Sequence, residues 1–241
     1  MPIVSSLPSE LLNRLDGLFA AAGDPERAVG MRAYMRDQFP YAGVPAPALR
    51  KLERAAFAGM PPPSAQELSA FALGCWQRPE REFQYVACDY LRAHAAVPGA
   101  SFIDVARTLI TTKSWWDTVD PLATRFVGEL VRRHPMLTAT MDAWSGEADL
   151  WLVRTAILHQ LNYGPATDTA RLFGYCERQA GHRDFFVRKA IGWALRHYAR
   201  TDPEAVRAFV AANRAALSPL SVREATKHLQ RPEDVDAGVV G

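Results

Sequence analysis

The segment Lys113–Asp120, KSWWDTVD, holds the densest cluster of side chains in this sequence that could do chemistry. If the segment is helical, Trp116 and Asp120 are four residues apart and lie on one face. An aromatic ring beside a carboxylate is a good receptor for a flat cation, because the π face attracts the charge and the carboxylate neutralises it. On residue types alone, a second interpretation is slightly favoured, in which Asp120 caps a helix that is kinked or restarted at Pro121.

Two other tryptophan features bear on this segment. Because tandem tryptophans are more often structural than functional, one of Trp115 and Trp116 is expected to be buried. Trp193 shares a helical face with Lys189 and Arg196, so its ring is expected to lie among basic residues. The remaining tryptophans that we assign to core or interhelical packing are Trp76, Trp144 and Trp151.

Helix signals run along the whole sequence, and no segment shows the alternation of a strand. Asp24 followed by Pro25 is typical of a helix start. The capping-box pattern or its Asp variant also predicts helix starts at Ser64, Ser101, Ser114 and Ser221. The fold class is therefore predicted to be all-α.

An internal repeat defines the architecture further. The pattern V-R-x-A begins at Val153, Val187 and Val222, at intervals of 34 and 35 residues, and two further steps back reach Val119 and Val86. Repeats of this length that hold about two helices each indicate a superhelical solenoid with one column of equivalent positions along its concave side.

The residue after the repeated valine changes along this column. Three successive arginines, Arg154, Arg188 and Arg223, would form a basic ridge suited to phosphates. In the preceding repeat the equivalent residue is Asp120, which interrupts this ridge. The alternative is that V-R-x-A is a packing repeat whose arginines reach out to solvent.

Composition excludes several classes of protein. The chain has 241 residues, is 49% hydrophobic and has a formal net charge of +2, which excludes intrinsic disorder. No apolar run approaches the ~20 residues of a membrane span, and no secretory signal is expected. The three cysteines form no CxxC pair, so they are expected to be reduced, buried thiols of a cytosolic protein. No Gly-rich phosphate loop and no metal-binding spacing occurs, which predicts neither cofactor nor metal.

The small net charge is unevenly distributed. Residues 171–231 contain 12 basic and 5 acidic residues, a local charge of +7, and the tail 232–241 carries −3. Such an excess can attract a polyanion, although an ordinary solvated arginine-rich surface is favoured on charge alone.

Several stretches resemble the AlkD-type family of DNA alkylation repair glycosylases. KSWWD-x-VD and KAIGW are quite specific, and the matches span nearly the whole chain in the family's order. The matching stretches are Ala33–Met35, Arg78–Gln84, Thr112–Asp120, Trp151–Leu158, Phe185–Arg196 and Leu220–His228.

This resemblance implies a single domain, residues 1–241, of HEAT-like repeats with a concave face that binds DNA. It implies hydrolysis of the N-glycosidic bond of cationic N3- and N7-alkylpurines in duplex DNA without base flipping, by a monomer that needs no cofactor. A bacterial cytoplasmic enzyme, associated with the nucleoid when bound to DNA, is expected. By position in the family, the resemblance implies that Asp120 is the catalytic carboxylate and that Trp116 and Trp193 are its aromatic partners. It also implies a set of residues that contact DNA, which are Arg154, Arg188, Lys189, Arg223, Lys227, Tyr34 and Lys113.

Three positions depart from the family pattern. Asn162 replaces a lysine, Pro45 replaces a glutamine, and His159 stands where an aromatic residue is found. These changes leave Trp116, Asp120, Arg154 and Trp193 intact, so the enzyme remains the leading interpretation. Asn162 and Pro45, together with the local charge of +7, motivate an alternative function, a non-catalytic helical-repeat protein that binds branched or distorted DNA. A third interpretation is a protein–protein scaffold, since helical solenoids commonly serve that purpose.

Overall fold

The computed structural model describes residues 7–229, which form helices and no strand. This confirms the all-α class. The α-helices are α1 (Leu7–Ala22), α2 (Pro25–Tyr34), α3 (Ala46–Phe57), α4 (Ala65–Gln77), α5 (Arg81–Ala93), α6 (Ile103–Thr111), α7 (Trp116–Pro121), α8 (Gly128–Arg133), α9 (Thr138–Trp144), α10 (Leu150–Leu158), α11 (Thr169–Arg178), α12 (Phe185–Tyr198), α13 (Pro203–Ala212) and α14 (Pro219–Thr226). A π-helical segment, Leu122–Val127, joins α7 to α8.

The repeat seen in the sequence is a repeat of helices. The helices that carry the repeated valine, α5, α7, α10, α12 and α14, begin at intervals of 34 or 35 residues. Each valine is at most 8% exposed, so the repeated position is a packing position in every case. The predicted helical repeat is therefore confirmed, and the valine is repeated because each helix must bury the same point of its surface.

The chain divides into two compact units, residues 1–137 and 138–241. In the first unit α4 packs against α1 and α5, and α5 also contacts α7 and the π segment. In the second unit α12 packs against α10, α13 and α14. The single domain expected over residues 1–241 stays a prediction, and the acidic tail 232–241 lies outside the described residues. Within residues 7–229, no helix combines the length and apolarity needed to cross a membrane.

Two of the predicted helix starts are confirmed and three are wrong. Asp24 accepts a hydrogen bond from the Arg27 amide, and Ser64 forms a complete capping box with Glu67. Ser101 instead lies inside a 3₁₀ turn. Ser114 precedes α7 but donates from Oγ to the carbonyl of Ile110. Ser221 lies inside α14, whose N-cap is Ser218. The pattern S-x-x-D/E also occurs within helices, where a hydroxyl can bond to the preceding turn.

The capping interpretation of Asp120 is wrong as well. The N-cap of α7 is Trp115, which leaves Asp120 inside the helix. The helix does not restart at Pro121, whose φ of −64° is helical. It passes from α to π geometry at Leu122 and continues into α8. Pro121 lacks an N–H and so removes one intrahelical hydrogen bond, yet the helix continues through it.

Candidate active site and nucleic-acid interface

The first unit places Trp116 and Asp120 one turn apart on α7, as the sequence predicted. Both side chains are half-buried. The ring of Tyr34 meets that of Trp116 edge to face, with the centroids 6.5 Å apart, and Tyr34 is 75% exposed. Tyr34, Trp116 and Asp120 are thus supplied by α2 and α7, two helices of the same unit.

The tandem tryptophans do not divide into one buried and one exposed ring. Trp115 and Trp116 are both half-buried, and both pack against a cluster formed by Ala28, Met35 and Tyr41. Trp115 has an extended backbone, with φ −159° and ψ 160°, immediately before α7 begins. The expectation that one of the two is buried is wrong, because both rings pack, partly exposed, against the same cluster.

An open pocket of about 430 Å³ lies beside this cluster. Its walls include Tyr34, Tyr41, Tyr85 and Trp116, with Asp117 as the acidic group. Aromatic walls offer flat apolar surface and π faces. The first unit can therefore receive a flat group next to the ring of Trp116.

Asp117 is held by a buried arginine. Arg81 is fully buried, and its Nε and Nη2 donate to the two carboxylate oxygens of Asp117 at 2.9 and 2.6 Å. Arg81 also donates to the carbonyl of Lys113 at 2.8 Å and to Thr118 Oγ1 at 2.9 Å. This bidentate pair joins α5 to the start of α7 and so fixes the helix that carries Trp116 and Asp120.

Two tyrosines extend the network. Tyr85 donates from its hydroxyl to Asp117 Oδ2 at 2.7 Å, and the hydroxyls of Tyr41 and Tyr85 are 2.9 Å apart. Burial raises the pKa of Tyr41 to about 12, and burial and Asp117 raise that of Tyr85 further. Our sequence interpretation missed this network. Its only signal was the run of charged residues around Arg81 at the start of α5.

Lys113 is tied to the same network. Its backbone has φ +49°, in the left-handed region, and its Nζ donates to the carbonyl of Arg78 at 2.5 Å. Burial and the neighbouring Arg81 lower the pKa of this ammonium. Lys113 thus anchors the connection between α6 and α7, and its contact with DNA stays a prediction.

In the second unit the three arginines of the predicted ridge differ in exposure. Arg154 is 3% exposed and donates from Nη1 to the carbonyl of Phe186 at 2.5 Å, which ties α10 to the start of α12. Arg188 is half-buried and Arg223 is exposed. The idea that these arginines reach out to solvent is therefore wrong for Arg154 and fits Arg223.

Lys189 and Arg196 flank Trp193 on α12 and share an acidic partner. Glu224 of α14 accepts from Lys189 Nζ at 2.7 Å and from Arg196 Nη1 at 2.6 Å. The hydrogen bond from Lys189 and the two positive charges hold the pKa of Glu224 below its usual value. Trp193 is half-buried, and the two basic residues expected around it share this one carboxylate, which offsets one of their two positive charges.

The exposed basic residues of this unit lie on and after α14. Arg223 and Lys227 are exposed, and neither forms an ion pair within the described range of the chain. Because no ion pair holds them there, their charges are available to an anion, although Lys227 also helps to lower the pKa of Glu224. Their predicted role at DNA stays a prediction.

The three departures from the family pattern have different surroundings. His159 is 2% exposed and donates from Nδ1 to the carbonyl of Ala156 at 2.7 Å, and burial lowers its pKa to about 4. Asn162 is exposed just after α10. Pro45 is the N-cap residue of α3.

The other expected packing residues behave as predicted. Trp76 and Trp144 are buried, and the ring of Trp151 lies 5.0 Å from that of Phe186. The cysteines are free and buried, and burial raises the pKa of each thiol; they are Cys75, Cys88 and Cys176. Within residues 7–229, no group of His, Cys, Asp and Glu side chains could hold a metal ion.

Comparison with known proteins agrees with the fold and with the family resemblance. The family model described as "DNA alkylation repair enzyme" matches residues 16–229. A solved structure described as a predicted DNA alkylation repair enzyme from Enterococcus faecalis is 31% identical, with a TM-score of 0.80 over 87% of this chain and 97% of that one. The smu.31 protein of Streptococcus mutans UA159 shares the fold at 15% identity, with a TM-score of 0.59 over 76% of this chain and 93% of that one.

A comparison with curated proteins gives no match. The family model nevertheless covers most of the chain, and it includes every helix from α2 to α14. The chain therefore belongs to the family of DNA alkylation repair enzymes.

Proposed function

We propose that this protein is a DNA glycosylase that hydrolyses the N-glycosidic bond of cationic N3- and N7-alkylpurines in duplex DNA. Membership of a DNA alkylation repair family supports this proposal. The observation that carries it is the position of Asp120 one helical turn after Trp116, whose ring lines an open aromatic pocket. The protein acts as a monomer on a base that stays in the duplex, without a metal or cofactor.

Asp120 is assigned the catalytic role. An alkylated purine with a positive charge is already a good leaving group, so the reaction needs no strong general acid. As the bond breaks, the sugar develops oxocarbenium character, which a nearby carboxylate stabilises while it orients water. Asp117 is a poorer choice, because it is only 7% exposed and both its oxygens are bound by Arg81.

The aromatic residues complete the site in this proposal. Trp116 contacts the deoxyribose edge, where its π face favours the developing positive charge. The same role for Trp193, in the second unit, stays a prediction. Tyr34, 75% exposed against Trp116, extends this surface in the first unit. A HEAT-like arrangement of the repeats would present these residues on the side that binds DNA.

Basic residues hold the duplex through its phosphates. Arg223 and Lys227 are exposed, so they can reach a phosphate without rearrangement. Arg188 and Lys189 of α12 are assigned further phosphate contacts. Lys113, in the first unit, is assigned another. Arg154 takes the position near the lesion, where its burial and its bond to Phe186 fix its guanidinium.

The test is release of 7-methylguanine and 3-methyladenine from methylated duplex DNA. We expect the purified protein to release both bases and Asp120→Asn to lose most of this activity. Tight binding to branched DNA with no base release would instead establish the non-catalytic DNA-binding function. Activity that is unchanged in Asp120→Asn would refute the assigned mechanism.

A further inference from the structure

A second pocket of the first unit has a strongly basic wall. It has a volume of about 470 Å³ and lies between α3, α5 and the end of α7. Pro121, which follows Asp120 directly, is one of its walls. The charged residues that line it are Arg50, Glu53, Arg54, Asp89, Arg92 and Arg125.

Three of the four arginines are not held in an ion pair. Arg50, Arg54 and Arg125 are exposed and make no hydrogen bond or ion pair within residues 7–229. Arg92 pairs with Asp89 on the same helix at 3.2 Å. Uncommitted guanidinium groups on the wall of one concavity attract an anion, and their planar donors match phosphate oxygens.

Glu53 is the unusual member of this group. It is 7% exposed, and its Oε1 has no hydrogen-bond partner. A buried carboxylate without a partner is costly, so the group favours its neutral form. Burial and, to a lesser extent, Asp89 raise the pKa of Glu53 to about 7, although Arg50, Arg92 and Arg54 oppose the shift.

We propose that this pocket binds a phosphodiester of the DNA strand, with the arginines facing its charge and protonated Glu53 donating a hydrogen bond to a phosphate oxygen. A neutral carboxyl donates through its O–H, whereas a carboxylate only accepts and would repel the phosphate. The proposal rests on the DNA binding assumed in the proposed function, and it is independent of base release.

This arrangement makes DNA binding depend on pH. The charged groups that face Glu53 are Arg50 and Arg54 of its own helix, Asp89 and Arg92 of α5, and Arg125 across the pocket. Carboxylates and guanidinium groups in general keep their charge between pH 6 and 8. Glu53 loses its proton in that range, so affinity is highest below the pKa of the free protein and falls as pH rises through it.

The same helix is also contacted by α1. There Arg14 donates to the carbonyls of Ala56 and Ala58 near the end of α3, and it is paired with Glu10.

The test measures the affinity of the full chain for a lesion-free DNA duplex without terminal phosphates, by fluorescence anisotropy at fixed ionic strength. Phosphodiesters do not titrate in this range. For the unmodified protein we expect affinity to fall roughly five- to tenfold from pH 6 to pH 8. Glu53→Gln keeps a donor at every pH, so its affinity should change less than about twofold. An equal pH dependence in Glu53→Gln would overturn the proposal.

Surface variants test the pocket separately, in case Glu53→Gln does not fold. At pH 6.5, Arg50→Gln and Arg125→Gln should each weaken binding roughly fivefold and reduce the salt slope by about one. The matched control is Arg132→Gln, an exposed arginine paired with Glu129 outside the pocket. Losses no larger than that of the control would overturn the proposal, whether or not the protein releases bases.

Discussion

Arg81 binds both carboxylate oxygens of Asp117, at 2.9 and 2.6 Å, in a pair whose arginine is fully buried and whose aspartate is 7% exposed. The two residues are 36 positions apart and join α5 to α7. In KSWWDTVD, therefore, the first acid holds the helix in place, and the second, one turn after Trp116, is left for the chemistry that we propose.

Asp117→Asn should destabilise the protein by about 3–5 kcal/mol, because it leaves the guanidinium of Arg81 buried without a counter-charge. Urea denaturation measures this change. The control is Asp16→Asn, which breaks the more exposed pair with Arg78 and should cost no more than about 1 kcal/mol. If the two variants were equally stable, Arg81 and Asp117 would not hold α7 as described.

Gly192→Ala should destabilise the second unit by about 1–3 kcal/mol, since overpacking a tight contact forces a shift. A Cβ at Gly192 would lie 2.5 Å from Glu224 Cβ and 2.9 Å from the carbonyl oxygen of Ser221. Gly174→Ala, in α11, meets nothing within 4 Å and should stabilise the protein by about 0.5–1 kcal/mol. Thermal unfolding of both variants tests the close packing of α12 on α14; equal effects would contradict it.

His159 should make stability depend on pH. Burial lowers its pKa to about 4, below that of the unfolded chain, so its contribution is present above about pH 6.5 and is lost as pH falls towards 4. The loss is about 3 kcal/mol over that range. Glu53, with its pKa raised to about 7, acts in the opposite direction, because its contribution is lost as pH rises from about 4.5 to 7.

These two opposed effects can be separated with variants. His159→Phe should remove the loss of stability on acidification, so its free energy of unfolding, measured by urea at pH 4.5 and 6.5, should fall with rising pH. The difference between the unmodified protein and His159→Phe isolates the histidine. A difference that does not vary with pH would show that His159 is not held neutral.

Arg223→Gln should weaken DNA binding roughly fivefold near physiological salt and reduce the salt slope by about one, since an exposed arginine releases counterions when it meets a phosphate. Lys189→Gln should have a smaller effect, because Glu224 already binds the ammonium at 2.7 Å. Salt titrations of duplex binding compare the two. A larger loss for Lys189→Gln would mean that DNA displaces Glu224.

Local patterns predicted much of the fold. The V-R-x-A repeat located five helices because each buries its valine in the same way, and Asp24 and Ser64 marked helix starts through short-range hydrogen bonds. The helix start predicted at Ser114 was wrong because the hydroxyl of Ser114 donates to the carbonyl of Ile110 in the preceding helix instead of capping the next one. No local rule signals the π segment that follows Pro121.

The site was predictable only in part. The spacing of Trp116 and Asp120 placed them on one helix, as observed. The pair formed by Arg81 and Asp117 was missed because it joins residues far apart in sequence. The burial of Arg154 was missed for a similar reason, since its partner is the carbonyl of Phe186 on another helix.

The most direct test of the proposed function is the single-turnover rate of 7-methylguanine release by the unmodified protein and by Asp120→Asn. The control is Asp104→Asn, an exposed acid on α6. Loss of about 2–4 kcal/mol of transition-state stabilisation predicts a rate that is lower by roughly 30- to 1,000-fold in Asp120→Asn. The free energy of unfolding of this variant should be unchanged. Asp104→Asn should release the base at the normal rate. Equal rates in all three proteins would contradict the assignment of Asp120 as the catalytic carboxylate.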